Sequence, residues 1–382
     1  MNDRISTFLQ TRIDASDFPS VVYLVAEKGE IVLQDALGFA VVEPERITAR
    51  VDTIYDLASL TKVLVTGLLC AKLLESGGIE LSDKTVKALS LGKQSDVTIR
   101  DLLTHTSGLL AWKPFYLFVR ERSEVLAEIV KAPINLTNPH VVYSDLNFLV
   151  LMFLIERIFG ERIDVVAARE IFEPLGLKET SYNPPKGLHQ RIAASEKGNE
   201  YEKQACVDLG FVKQENAPFA TASGSDAIHN PQSAFRNQII WGEVHDQNAY
   251  FIGGVAGHAG LFSTAEETFK IAQQFLPNYT TLLKPETCEL FRTNFTPGMN
   301  EHRSFAFQLA TTDDSTAGSK MSPESFGHNG FTGTSLWVDP IEERIFILLT
   351  NRTHNHALPF VNINSVRRKF HDLAIEHLDA NS

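Results

Sequence analysis

Tyr55-Asp56-Leu57-Ala58-Ser59-Leu60-Thr61-Lys62-Val63-Leu64 is the stretch from which the rest of this chain can be read. It reads as the end of an extended segment followed by the first turn of a helix. Leu64, Leu68, Leu69, Leu73 and Leu74 continue that helix at three- and four-residue spacing, the period of a single buried face. Gly77-Gly78 then supplies the left-handed stop such a helix needs. Residues three apart share a helix face, so Lys62 can reach Ser59 Oγ. A serine at a helix N-terminus also lies where backbone N–H groups point outward and the dipole favours negative charge. A capping serine followed by a solvated lysine has the same spacing, so the surroundings must decide between the two. Lys62 is followed by Val63-Leu64-Val65, and a stem laid on apolar surface is desolvated. Desolvation lowers a lysine pKa and favours the neutral amine that a proton acceptor requires.

Working outward, residues 3–15 carry Ile5, Phe8, Leu9 and Ile13 at helical spacing. Val21-Val22-Tyr23-Leu24-Val25-Ala26 and Ile31-Val32-Leu33 flank Glu27-Lys28-Gly29-Glu30, a hairpin pattern. Residues 121–131 and 146–159 are helical by period, the second ending at Gly160. Ser144 or Asp145 suits its N-cap. Tyr143 therefore stands just outside a helix, where its ring packs over the helix start or its hydroxyl projects. Thr104-His105-Thr106-Ser107-Gly108-Leu109 is dense in small polar groups and reads as a hydrogen-bonded turn, with His105 a structural histidine.

From about Pro184 to Gly242 the periodicity dissolves into Gly, Asn, Ser and Pro, as in Thr221-Ala222-Ser223-Gly224-Ser225. A long irregular segment of this kind belongs to a binding region or lid, or is disordered. Residues 264–276 read as a helix capped by Thr264. Strands return with Ser335-Leu336-Trp337-Val338 and Arg344-Ile345-Phe346-Ile347-Leu348-Leu349-Thr350, separated by a turn at Asp339-Pro340, and a helix near 361–378 ends the chain. Hairpins at both ends with helices between them predict one antiparallel sheet built from the two termini. The expected plan is α/β (α+β): a single unit over 1–382, with a sheet lobe of about 1–85 and 250–382 and an inserted, mostly helical lobe of about 86–249.

At 382 residues the chain can bury a substantial core, and 43% hydrophobic with 21% charged residues is ordinary for a globular protein. A formal charge of −12 argues against a phosphate-binding surface, so no nucleic-acid partner is expected. No apolar run reaches the length of a membrane span, so no membrane partner is expected either. Cys70, Cys206 and Cys288 are odd in number and far apart, which suits a reducing compartment and forms no metal-ligand cluster. Met1-Asn2-Asp3-Arg4 opens no secretory signal. A cytoplasmic location is expected, or a periplasmic or secreted one if a signal was removed.

Three motifs then fall in a telling order: Ser59-x-x-Lys62, Tyr143-Ser144-Asp145 and His328-Asn329-Gly330. Their order and separations resemble those of serine β-lactamases and penicillin-binding-protein relatives. Leu102 to Leu109, Gly260-Leu261-Phe262-Ser263-Thr264, and the run from Gly333 through Pro340 to Arg352 are similar as well. The likeness spans nearly the whole chain and is greatest to the class C branch, which includes family VIII carboxylesterases, D-aminopeptidases and N-acetylmuramyl-L-alanine amidases. Gly242 to Ala249 with Gly253 to His258 is similar to a signature of the amidases.

The resemblance implies a β-lactamase/transpeptidase-like fold and acyl transfer. Ser59 is then the nucleophile, Lys62 and Tyr143 share the proton traffic, and the N–H groups of Ser59 and Phe331 hold the oxyanion. Which of Lys62 and Tyr143 takes the first proton stays open. Oxyanion donors are worth roughly 3–4 kcal/mol each. Asp145, His328, Asn329 and Gly330 would contact substrate, a small ester, amide or muramyl peptide, with no cofactor and no metal.

Two positions depart from the family pattern. Tyr-x-Asn becomes Tyr143-Ser144-Asp145, whose carboxylate either holds Lys62 by charge, raising its pKa, or only caps the helix. Lys-Thr-Gly becomes His328-Asn329-Gly330, exchanging a permanent cation for a titrating imidazole. Weak β-lactamase activity at most is therefore expected, and a carboxylesterase fits best, with a cell-wall amidase or D-aminopeptidase as the alternative. A metallohydrolase using His245, Asp246, His258, His328 or His354 lacks any His-Glu-x-x-His spacing. A catalytically silent binding protein ranks last, because all three motif positions hold competent chemistry.

Overall fold

The computed structural model describes residues 3–84, 89, 96–131, 134, 140–212 and 235–381. Its strands are β1 (Ser20–Glu27), β2 (Glu30–Val41), β3 (Ile47–Thr48), β4 (Tyr55–Asp56), β5 (Ser181–Tyr182), β6 (Leu261–Ser263), β7 (Gln308–Leu309), β8 (Phe326–Asn329), β9 (Ser335–Asp339) and β10 (Arg344–Thr350). Seven of them form one sheet in the order β3-β2-β1-β10-β9-β8-β7. β1 and β10 pair antiparallel from Val21 opposite Thr350 to Glu27 opposite Arg344, so the two terminal hairpins meet as the sequence predicts. The first hairpin turns through Lys28 at φ 50° and Gly29 at φ 83°, the double positive φ of a tight hairpin whose twist matches its strands.

The apolar runs of β1 and β10 show why this sheet lies inside the protein. Val22, Leu24, Ala26, Ile345, Ile347 and Leu349 enter one core, while Val21, Tyr23, Val25, Phe346 and Leu348 enter another. The second core is closed by the terminal helices, through Ile5 and Leu9 of Asp3–Asp14 and Phe370 and Leu373 of Asn364–Asn381. The first is closed by Phe269 and Ile271 of Ala265–Ala272 and by Leu64 and Leu68 beyond Ser59. Full burial of each such side chain stabilises by about 1.5–3 kcal/mol. A one-residue slip would exchange the two faces along the whole strand, so the register is strongly fixed.

Three local features depart from expectation. The helix after Ser59 opens as a π-helix, Lys62–Gly67, before becoming α-helical at Leu68–Glu75; Ser59 itself lies in the turn before it. The widened turn accompanies two inward bonds, from Lys62 Nζ to the His258 carbonyl at 3.2 Å and from Thr66 Oγ1 to the Gly257 carbonyl at 2.7 Å. Wide turns of this kind collect at functional sites. Gly77, at φ 71°, stops the helix as expected. Second, the stretch read as irregular from Pro184 contains the helix Glu200–Asp208. Its buried positions include Glu202 and Cys206 rather than a stripe of aliphatics, so hydrophobic period did not reveal it. Thr221 to Ser225, quoted for the same reading, lie outside the described residues. Third, β4, β6 and β5 form a second small antiparallel sheet, made of strands too short to show alternation. No helix among the described residues is long and apolar enough to cross a membrane.

Candidate active site

The small sheet delivers the chain to Ala58, whose φ of 48° places it in the left-handed region. A non-glycine residue costs about 1–2 kcal/mol there and persists only where neighbours hold it. Asp56 Oδ1 accepts the Ala58 N–H at 2.8 Å. The Ala58 carbonyl accepts Thr61 N–H at 3.1 Å and Thr61 Oγ1–H at 2.7 Å. Ser59 follows, and Lys62 Nζ donates to its Oγ at 2.8 Å.

Lys62 is fully buried and bonds Asp145 Oδ1 at 2.7 Å. Lys62 Nζ stands 4.9 Å from the centre of the Tyr143 ring, and the Tyr143 hydroxyl interacts with both Lys62 and Ser59, so the three side chains form one group. Burial alone would lower the Lys62 pKa, but Asp145 and Tyr143 together outweigh it and raise it above the ordinary lysine value. The neutral amine inferred from the apolar neighbours of Lys62 is therefore corrected to a paired ammonium. Burial also raises the Tyr143 pKa, with Lys62 pulling against it and Asp145 adding to it. Asp145 acts as the counterion of Lys62 and not as a cap. Ser144 occupies the N-cap position of Asp145–Phe159, yet its hydroxyl bonds the Leu110 carbonyl at 2.6 Å.

His105 is placed where the sequence reading put it, in a structural role. Its Nδ1 accepts the Ser144 N–H at 3.0 Å and its carbonyl accepts the Val142 N–H at 2.9 Å, bracketing Tyr143. The two rings lie 4.7 Å apart. Burial, with Arg303, Lys62 and His328 nearby, holds the His105 pKa well below its ordinary value, so the Nδ1 lone pair stays available to Ser144.

The opposite wall is the end of β8 and the turn after it. Ser59, Tyr143, Asp145, His328, Asn329, Gly330 and Phe331 all line one cavity of about 510 Å³, so the structure brings the expected site residues together. Neither the Ser59 nor the Phe331 N–H has an acceptor among the described residues. Thr316 Oγ1 donates to Asn329 Oδ1 at 3.1 Å. His328 is not the titrating cation its residue type suggests. Burial, Lys62 and Arg303 push its pKa well below the ordinary value, and its Nδ1–H donates to the Asn329 carbonyl at 2.9 Å. It is a neutral imidazole at neutral pH.

Cations enter the cavity from places the motifs did not indicate. Arg303, Arg352 and Arg367 line it. Arg303 pairs with Glu301 at 2.5 Å. Arg352 instead donates to the Phe331 and Val361 carbonyls, each at 2.8 Å. Arg367 donates to Asn364 Oδ1 at 2.8 Å and to the Gly330 and Thr334 carbonyls, each at 3.0 Å. No carboxylate among the described residues pairs with either of these two. Burial lowers both, Arg367 to about 9, which leaves them charged at neutral pH. Arg352 stood inside a motif quoted above; Arg303 and Arg367 carried no signal beyond their helix or loop context.

The residues weighed for a metal site divide in the same way. His245 Nε2 pairs with Glu196 at 2.7 Å, and His354 accepts the Val42 N–H at 2.9 Å. Asp145, Asp246 and His258 bring ligand atoms within 4.8 Å of one another. The positive charge beside that group is supplied by Lys62, bonded to Asp145. Glu202, missed in the sequence, also lines the cavity; burial and nearby Asp246 push its pKa up to about 8.

The beta-lactamase family model matches residues 5–367. A putative D-alanyl-D-alanine carboxypeptidase of Salmonella typhimurium (strain LT2) is 32% identical over 399 residues, covering 94% of this chain and 85% of the relative. One of Escherichia coli (strain K12) is 28% identical over 386 residues, covering 92% and 82%. Among solved structures, EstCE1, a hydrolase with promiscuous acyltransferase activity, superposes with a TM-score of 0.71 at 19% identity, covering 97% of each chain. A class C beta lactamase from Rhodobacter sphaeroides gives 0.67 at 17% identity, covering 98% and 99%.

Proposed function

The chain belongs to the beta-lactamase family, has its transpeptidase-like fold and is a serine hydrolase, and from that premise we propose that it cleaves small amide or ester bonds in carboxylate-bearing substrates through an acyl-enzyme on Ser59. The observation that carries this reading is one cavity lined both by Ser59 and Tyr143, with Lys62 buried behind them and donating to Ser59 Oγ, and by two arginines that have no carboxylate partner among the described residues. Arginine presents a planar fork suited to carboxylates. The name of the curated relatives points the same way, since a carboxypeptidase acts at the carboxylate end of a peptide. This moves the weight from a neutral ester toward the cell-wall-peptide alternative.

In the proposed reaction the Lys62–Tyr143 pair first loses one proton to solvent, leaving Tyr143 as the phenolate; Ser59 Oγ then attacks the carbonyl carbon while its proton passes to Tyr143. Lys62, charged and already donating to Ser59 Oγ, is not free to accept that proton. Its charge instead favours the phenolate of Tyr143. The oxyanion is held by the Ser59 and Phe331 N–H groups. Tyr143 then protonates the departing amine or alkoxide. Water attacks the acyl-enzyme, gives its proton to Tyr143, and Ser59 leaves with that proton restored.

A substrate panel tests the proposal: a D-alanyl-D-alanine peptide, its C-terminal amide, a muramyl peptide, p-nitrophenyl esters and nitrocefin, with intact-mass detection of a Ser59 adduct. The free acid is expected to be cleaved at least about tenfold faster than its amide, the worth of one charge-assisted bond. Equal rates for acid and amide, with short esters the best substrates, would return the reading to a neutral esterase. His328→Lys provides a second check, because it restores a cation at the position where the family usually has one. It is expected to lower KM for a penicillin about tenfold if charge at that position selects the substrate. An unchanged KM would leave carboxylate recognition to Arg352 and Arg367.

A further inference from the structure

The two N–H groups assigned to the oxyanion belong to peptides from opposite ends of the chain, and each peptide is clamped through its carbonyl. The Ala58 carbonyl, in the peptide carrying Ser59 N–H, accepts two bonds from Thr61. The Gly330 carbonyl, in the peptide carrying Phe331 N–H, accepts Gly333 N–H at 3.1 Å and Arg367 Nη2–H at 3.0 Å. Those clamps fix each donor's direction but not the distance between the two donors. The distance depends on what ties the 330–334 turn to residues 56–59.

Two buried hydroxyls make that tie. Thr332 Oγ1–H donates to the Asp56 carbonyl at 2.8 Å, and Thr334 Oγ1–H donates to the Leu57 carbonyl at 3.0 Å. Both threonines are buried, and β-branching leaves them few rotamers. The turn lies so close that a Cβ on Gly330 would stand 1.9 Å from Thr334 Oγ1 and 2.6 Å from the Leu57 carbonyl. The Asp56 residue that receives Thr332 also holds Ala58 in its left-handed conformation through Oδ1. A shift at Thr332 is therefore passed directly to the residue before Ser59.

We propose that Thr332 and Thr334 are positioning residues that set the separation of the two oxyanion donors by bolting the Phe331 turn onto the segment leading to Ser59. The proposal rests on Ser59 as the nucleophile with the Ser59 and Phe331 N–H groups as its oxyanion donors. Neither threonine touches substrate; both act through the peptides they hold. Oxyanion donors are worth about 10²–10³ in rate, and misplacement by about 1 Å can cost 10²-fold.

The test uses the full-length protein with Thr332→Val, Thr334→Val and the matching serine variants. Two quantities are measured: the rate at which a fluorophosphonate labels Ser59, followed by intact mass, and kcat and KM for p-nitrophenyl acetate. Each valine variant is expected to lose about 10- to 100-fold in labelling rate and in kcat, with KM moving less than about twofold. Serine, which keeps the hydroxyl, is expected to recover most of the loss. Wild-type labelling rates in both valine variants would overturn the proposal, whether or not their melting temperatures fall. So would a loss that serine does not recover. If the wild-type protein is not labelled at Ser59 at all, the nucleophile assignment fails first and the proposal fails with it.

Discussion

Ser59→Ala is expected to abolish turnover of every substrate on which the protein is active. Where a serine nucleophile and its base act as one unit, losing the serine costs about 10⁶ in kcat, and the residual rate comes from binding and the oxyanion donors. The substitution removes one oxygen, to which Lys62 donates at 2.8 Å. Lys62 retains Asp145 at 2.7 Å and the His258 carbonyl at 3.2 Å, so the ammonium stays paired and the fold is expected to keep its melting temperature. Ala58 also stays clamped by Asp56 and Thr61, so the backbone of the turn need not move. Steady-state hydrolysis of p-nitrophenyl acetate, with intact-mass detection of the acyl-enzyme, reads the result. A variant that keeps a tenth or more of wild-type kcat would exclude Ser59 as nucleophile.

Tyr143→Phe is expected to lower kcat by about 10²–10⁴, the usual worth of a positioned acid–base group, while leaving the ring between His105 and Lys62. A near-normal rate would return Tyr143 to a packing role. The pH profile carries the mechanism further. Lys62 and Tyr143 are both raised above their ordinary values, so at neutral pH both hold their protons and no base is free. Raising the pH removes one proton from the coupled pair, so kcat/KM is expected to climb on the alkaline side, with an apparent pKa belonging to the pair. Asp145→Asn removes the negative charge that favours the ammonium. The Lys62 pKa then falls and the alkaline limb moves to lower pH. A limb that stays in place in Asp145→Asn would show that Asp145 does not set the charge of Lys62.

The chain made its sheet legible because the signal is local and repeated. β1 and β10 are continuous apolar runs buried on both faces, and the Lys28-Gly29 turn announces its hairpin. The Ser59–Lys62 contact was legible for the same reason, since three residues of helical advance bring two side chains together even when the turn is a widened one. Tyr143 and Asp145 were legible as neighbours of a helix start, and their role followed from the family's motif order. The helix Glu200–Asp208 was not, because Glu202 and Cys206 take buried places that a hydrophobic period would give to aliphatics. Arg303 and Arg367 were not, because an arginine that bonds distant carbonyls, or one loop glutamate, has the same local sequence as an arginine in water.

What the sequence alone determined was therefore which groups exist and which near neighbours must meet: the central strands, the helix after Ser59, the serine–lysine pair, and the phenol beside Asp145. What only the tertiary structure decided was their charge and their company. Lys62 is an ammonium rather than an amine because Asp145 stands at 2.7 Å. His328 is neutral because burial, Lys62 and Arg303 oppose its proton. The cavity nonetheless holds cations with no carboxylate partner among the described residues, because Arg352 and Arg367 reach it from the last strand's end and the last helix. Spacing along a chain fixes contacts within a turn or two. The balance of desolvation against Coulomb attraction varies over a few ångströms, a distance set by how remote segments pack.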